Sequence, residues 1–156
     1  MTYLATDPTV SAALARSADQ PTLGLGPLQA RIAADVAMTG GRYSLYHLEL
    51  GTGAGAGAHF HRTFTESFHV LSGTVQFYDG QRWFPGEPGD HVVVPEGGVH
   101  AFRNDAEQPA TLLMLSTPGV RREDYFAELA AVVREGRQLS PQEWTDLFAR
   151  HDQYNV

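Results

Sequence analysis

The chain of 156 residues contains no cysteine and no lysine, and its eleven basic residues are all arginine. Without thiols there is no disulfide, no thiol nucleophile, no iron–sulfur cluster and no thiolate zinc site. Without a lysine amine, Schiff-base catalysis is excluded. So is a P-loop, whose lysine contacts the phosphates. Apolar runs are short, and none approaches the roughly 18 residues that a spanning helix needs. Positive charge is also scarce. Eighteen carboxylates outnumber the arginines and leave a formal charge of −7, so the electrostatic footprint for nucleic acid or an anionic membrane surface is missing. Neither is expected as a partner. The segment Met1–Asp7 has no basic stretch followed by an apolar one, so no secretory signal is expected and the cytoplasm is the expected location.

What is present fits a folded domain. Hydrophobic residues make up 42% and charged residues 19%, which argues against disorder. At this length about 70% of the unfolded chain's surface can be buried. Seven histidines stand beside the carboxylates, so imidazole and oxygen ligands are the tools available for chemistry.

Three segments differ in pattern. Residues 1–22 are rich in Ala, Thr and Pro. Asp7-Pro8 reads as an N-cap followed by proline at the first helical position, which predicts a short N-terminal helix to about Ala18. Residues 23–117 are dense in β-branched and aromatic residues, broken about every eight to twelve residues by Gly, Pro, Asp or Asn. The expected strands are Tyr43–Leu50, His59–Arg62, Glu66–Leu71, Thr74–Tyr78, His91–Val94, Val99–Arg103 and Thr111–Ser116. Asp79-Gly80 is a hairpin signal, and Pro85, Pro88 and Pro95 are expected at strand ends. In residues 118–156 the period changes to 3.6. Tyr125, Phe126, Leu129, Val132 and Val133 form one apolar stripe in Arg122–Arg134, and Ser140-Pro141-Gln142-Glu143 is a capping box before a last helix with Trp144, Leu147 and Phe148. The fold class is therefore all-β, a sandwich or barrel, with C-terminal α-helices covering it.

The chemistry-bearing residues lie between Gly53 and Asn104. His59 and His61 are two apart, so on a strand both imidazoles point to one face. Glu66 follows after a short turn, and His100 stands beyond the turn Pro95-Glu96-Gly97-Gly98. Three imidazoles and one carboxylate form a borderline N/O ligand set suited to one divalent transition metal ion: Fe, Mn, Ni, Cu, Co or Zn. Most of these ions take five or six ligands, which leaves one or two positions for water, substrate or dioxygen. His69 lies an odd number of residues from Glu66 and so faces away from the ligands. His91 is assigned a structural role, and His47 faces solvent or a partner. Gly51–Gly57 matches a loose glycine-rich nucleotide loop, but no helix follows it, so it reads as a flexible connection. Asn104 is expected to satisfy backbone groups near a strand end.

These residues carry a resemblance. Gly53-x5-His59-x-His61-x4-Glu66-x6-Gly73 is similar, position for position, to the first signature motif of the cupin superfamily. Gly89-x5-Pro95-x-Gly97-x2-His100-x3-Asn104 is similar to the second, with fifteen residues between them as in small single-domain cupins. The resemblance implies a jelly-roll β-barrel, the double-stranded β-helix, with His59, His61, Glu66 and His100 binding one metal inside it. It also implies a homodimer. Phe68, Phe102 and Tyr46 are expected to line a substrate pocket over the metal, although the same residues could simply be core.

The ligand set, the aromatic interior and the helical C-terminus resemble quercetin-dioxygenase-like cupins. They imply a metal-dependent dioxygenase for a small aromatic or enolisable metabolite, with Glu66 as ligand and candidate catalytic base. One alternative uses the same ligands for non-redox isomerase, cyclase, lyase or decarboxylase chemistry. A second alternative is a non-catalytic barrel that binds a small molecule.

Overall fold

The computed structural model describes residues 11–156. The Asp7-Pro8 cap lies outside them. Residues 11–16, where the expected N-terminal helix would continue, are not helical, and a 3-10 turn occupies Ser17–Asp19. Leu14 is exposed there, so the segment has no apolar face to bury, and a short helix without tertiary packing is marginal in water.

The strands are β1 (Thr22–Leu25), β2 (Leu28–Ala34), β3 (Ser44–Leu50), β4 (Gly55–Phe60), β5 (Thr65–Ser72), β6 (Val75–Tyr78), β7 (Trp83–Gly86), β8 (His91–Val94), β9 (His100–Arg103), β10 (Ala110–Thr117) and β11 (Tyr154–Asn155). The helices are α1 (Val36–Thr39), α2 (Arg122–Arg134) and α3 (Pro141–Arg150). Two antiparallel sheets form a jelly roll, in the orders β1-β2-β3-β10-β5-β8 and β11-β4-β9-β6-β7. Alternation explains the central strands. In β3, Ser44, Tyr46, Leu48 and Leu50 are buried while Leu45, His47 and Glu49 are not; β10 repeats the pattern with Ala110, Leu112, Met114 and Ser116 inside. Phe68 sits between Phe102 and Phe77, with ring centroids 5.2 and 5.7 Å away.

The expected strands all exist, His91–Val94 with the ends foreseen and the others with shifted ends, and four more were not foreseen. In β2 the inward positions include Ala30 and Ala34, residues with little strand preference of their own. Strand β7 contains Pro85 and Gly86 and is an edge strand, where a missing backbone donor does no harm; Pro85 thus lies inside a strand rather than at its end. The glycine-rich run is only half a connection. Gly55, Ala56 and Gly57 belong to β4, and a Cβ at Gly55 would stand 2.2 Å from the Phe102 carbonyl oxygen, so glycine there lets β4 close on β9.

Both C-terminal helices pack on their own barrel. Phe126 meets the Tyr46 ring edge-on at 5.5 Å, and the Tyr46 hydroxyl donates to Glu123 and lies 3.3 Å from the Val120 carbonyl. The capping box forms as expected, with Glu143 N–H donating to Ser140 Oγ and Ser140 N–H to Glu143 Oε2. After α3 the chain returns to pair β11 with β4. There Asp152 accepts hydrogen bonds from the backbone N–H groups of Arg62 and Thr63. Among the described residues no helix is long and apolar enough to cross a membrane.

Candidate metal centre

Strands β4, β5 and β9 bring the predicted ligands together. His59 pairs directly with His100 across β4 and β9. His61 stands one residue beyond the end of β4 and still points inward, because Phe60 turns out to stack on Tyr154 with centroids 5.3 Å apart. Glu66 lies on β5 between Val94 and Ser116. All four side chains are buried, and one ligand atom from each falls within 4.8 Å of the others.

The hydrogen bonds around the cluster define its chemistry. The Nδ1 atoms of His59, His61 and His100 lie 2.7, 2.7 and 3.0 Å from the carbonyl oxygens of Gly57, Asp152 and Gly98. A carbonyl only accepts, so each Nδ1 carries the proton and each Nε2 is left with its lone pair. Yet Nε2 of His100 and of His61 lie 3.0 and 3.4 Å from Glu66 Oε2. Lone pairs of neutral imidazoles facing a carboxylate require a cation between them, either a proton or a metal ion.

Burial, with His100 close by, drives the His59 imidazole down to about 3 and so opposes protonation there. Burial alone would push the Glu66 carboxyl up, but the nearby His100 and His61 imidazoles prevail and hold it well below the usual range, hence ionised. Glu66 Oε1 and His61 Nε2 have no hydrogen-bond partner among the described residues. Three oriented imidazole nitrogens, an ionised carboxylate and orphaned buried acceptors fit a divalent transition metal ion.

A cavity of about 320 Å³ reaches the ligands His59 and Glu66. Its barrel wall includes Leu48, Phe102 and Met114, and its helical wall Tyr125, Phe126, Leu129 and Trp144. Of the three expected pocket residues, Phe102 lines this cavity. Phe68 and Tyr46 do not line the cavity. Phe68 is enclosed by neighbouring rings and supports His100 from behind at a centroid distance of 6.0 Å. Tyr46 is sealed off by Phe126 and by its hydroxyl contacts with the segment entering α2. The missed cavity residues include Leu48 and Met114 of the barrel and, from α2, α3 and the chain end, Arg122, Tyr125, Trp144 and Gln153. One signal was available, because Arg122 continues the apolar stripe of Tyr125, Phe126 and Leu129, an odd place for a charge.

Three of the remaining histidines lie apart. His69 is on the outer face of its sheet, opposite His91 on β8 with rings 5.7 Å apart, and His47 stands farther along the same face beyond Leu113. His69→Ala is expected to leave metal content per chain unchanged in elemental analysis; loss of half the metal or more would refute the face assignment. Asn104 donates to the Leu50 and Gln108 carbonyls and accepts from Ala106 N–H.

Residues 46–116 match the cupin domain family model. No curated protein matches the chain. Among solved structures, a sugar phosphate isomerase from a cupin superfamily, from Silicibacter pomeroyi, is 26% identical with a TM-score of 0.54; the match covers 60% of this chain and only 60% of that one. A predicted oxalate decarboxylase from Thermotoga maritima is 19% identical over 67% of this chain and 98% of its own, with a TM-score of 0.60. The polyketide cyclase RemF from Streptomyces resistomycificus is 19% identical over 69% of this chain and 80% of its own, also with a TM-score of 0.60. The last two likenesses concern the fold, which hosts several chemistries. Both sheets and the buried His–Glu cluster agree with the family match, which places a cupin domain at residues 46–116.

Proposed function

We propose that this chain is a cupin, a metal-dependent enzyme for a small aromatic or enolisable metabolite, and that its reaction is a dioxygenation. The observation that carries the proposal is the buried set His59, His61, Glu66 and His100 opening onto a largely apolar cavity. A divalent transition metal held by these four residues supplies Lewis acidity toward a bound hydroxyl or enol and, when redox-active, an electron path to dioxygen.

The chain's own groups do the rest. The three Nδ1–H bonds to backbone carbonyls fix the imidazole planes. The walls of Leu48, Phe102, Met114 and Phe126 keep water from a flat apolar substrate. Glu66 Oε1 has no other bond and is the acceptor for the substrate's hydroxyl proton. Metal-replete protein is expected to consume oxygen stoichiometrically with a flavonol or enol substrate in an oxygen electrode.

A non-redox isomerase or lyase reaction is the second reading, supported by the 26% likeness to the sugar phosphate isomerase. Substrate turnover that proceeds equally under argon would establish it and end the first.

A further inference from the structure

The cavity contains a buried positive charge that the metal ligands do not explain. Arg122, the first residue of α2, is only 4% exposed and lines the same cavity as His59 and Glu66. Its Nη1 donates to the His151 carbonyl at 3.1 Å and its Nη2 to Gln153 Oε1 at 3.0 Å. The guanidinium carbon lies 4.1 Å from the centroid of the Tyr125 ring. Its Nε has no partner, and among the described residues no carboxylate forms an ion pair with it.

A buried guanidinium held by neutral acceptors and an aromatic face is oriented but not neutralised, and buried charges are ordinarily paired. Two neutral hydrogen bonds fix the direction of its fork and leave the Nε–H unused. Glu66 is the nearby carboxylate that feels the charge, but it belongs to the ligand cluster. With a divalent ion bound, the ion and Arg122 outweigh that single negative charge. A counter-ion is missing, and the cavity is where it fits.

We propose that Arg122 is a specificity-determining residue that binds an anionic group of the substrate, and that the substrate class is a monoanionic organic acid, a carboxylate or an acidic enol, with an apolar body of aromatic size. The anion meets the guanidinium of Arg122 where that residue borders the cavity, while the apolar body lies against Phe102, Phe126, Leu129 and Trp144. A polyhydroxylated sugar would leave its hydroxyls unpaired against the same walls. The inference rests on reading this cavity as the substrate site, and it deepens that reading by naming the charge of the substrate.

The test compares 3-phenylpropanoate with its uncharged isostere 3-phenylpropanamide by isothermal titration, with metal per chain measured in every sample. Metal-loaded wild-type protein is expected to bind the acid roughly tenfold or more tightly than the amide. In folded Arg122→Gln the two probes are expected to bind within about twofold of each other, with amide affinity and metal content unchanged. Equal affinities in the wild type overturn the proposal, and so does a preference that survives in folded Arg122→Gln.

Because Arg122 also bonds the chain end, its variant has a control that does not depend on folding. Wild-type protein stripped with dipicolinate is expected to keep a reduced preference for the acid, reduced because Glu66 then faces it without a metal. Loss of the whole preference on stripping assigns the anion to the metal and overturns the role of Arg122. If the protein takes up no metal at all, the enzyme reading fails by itself, and the acid–amide comparison on metal-free protein still decides whether Arg122 binds the anion.

Discussion

Alanine at His59, His61 or His100 is expected to weaken metal binding by about a hundredfold or more and to leave purified protein essentially metal-free, with the barrel intact. Changes to groups that merely orient a ligand already cost about 10–100-fold, so removing a coordinating nitrogen should cost at least that. The fold should survive because each imidazole makes only one backbone hydrogen bond, to Gly57, Asp152 or Gly98, and removing one eases the crowding of three rings around Glu66. Glu66→Gln keeps the volume, loses the charge and is expected to behave in the same way. The measurement is metal per chain by elemental analysis, together with far-ultraviolet circular dichroism. Full occupancy in all three alanine variants would overturn the ligand assignment.

Acidifying the metal-free protein below about pH 6.5 is expected to destabilise it steeply. His59 titrates at 6.5 in the unfolded reference and at about 3 in the fold, because burial and the neighbouring His100 disfavour its charged form. Between those values the unfolded chain binds the extra proton, so stability rises with pH through this window and is lost on the way down. The shift corresponds to a loss on the order of 4–5 kcal/mol by the bottom of the window.

Glu66 acts in the same direction at the acid end. Its folded carboxyl titrates well below the usual 4.5, so its contribution is present above the unfolded value and is lost as pH falls through the folded one. Urea denaturation in EDTA from pH 7 to pH 4 measures the effect, and a midpoint that does not move with pH would refute it. His59→Gln should flatten the slope by nearly one proton. Metal-loaded protein should show a steeper loss, since protonated nitrogens cannot hold the ion.

Much of the centre was legible in the chain because it depends on local spacing. A period of two puts His59 and His61 on one face and His69 on the other, and the folded register keeps both assignments even though β4 ends at Phe60. The alternation in β3 and β10, the stripe in α2 and the Ser140 capping box follow in the same way, from side-chain geometry within a single element. Weak elements were not legible. The alanines of β2 and the Pro85-Gly86 end of β7 have little preference of their own and become strands only when a neighbour offers hydrogen bonds. The opposite happens at the N-terminus, where helix-favouring residues have nothing to pack against and stay irregular beyond residue 10.

The make-up of the His–Glu cluster, the barrel class and the helical ending can be read from the chain alone, because donor chemistry belongs to residue types and periodicity belongs to each element. Which surfaces meet depends on the packed fold. The segment entering α2 withdraws Tyr46 from the cavity, and Phe68 supports the ligands from behind. Arg122 reaches the cavity from α2, and Asp152 orients His61 across 91 residues of chain. Contacts at such separations follow from how whole elements pack, and no local pattern encodes them.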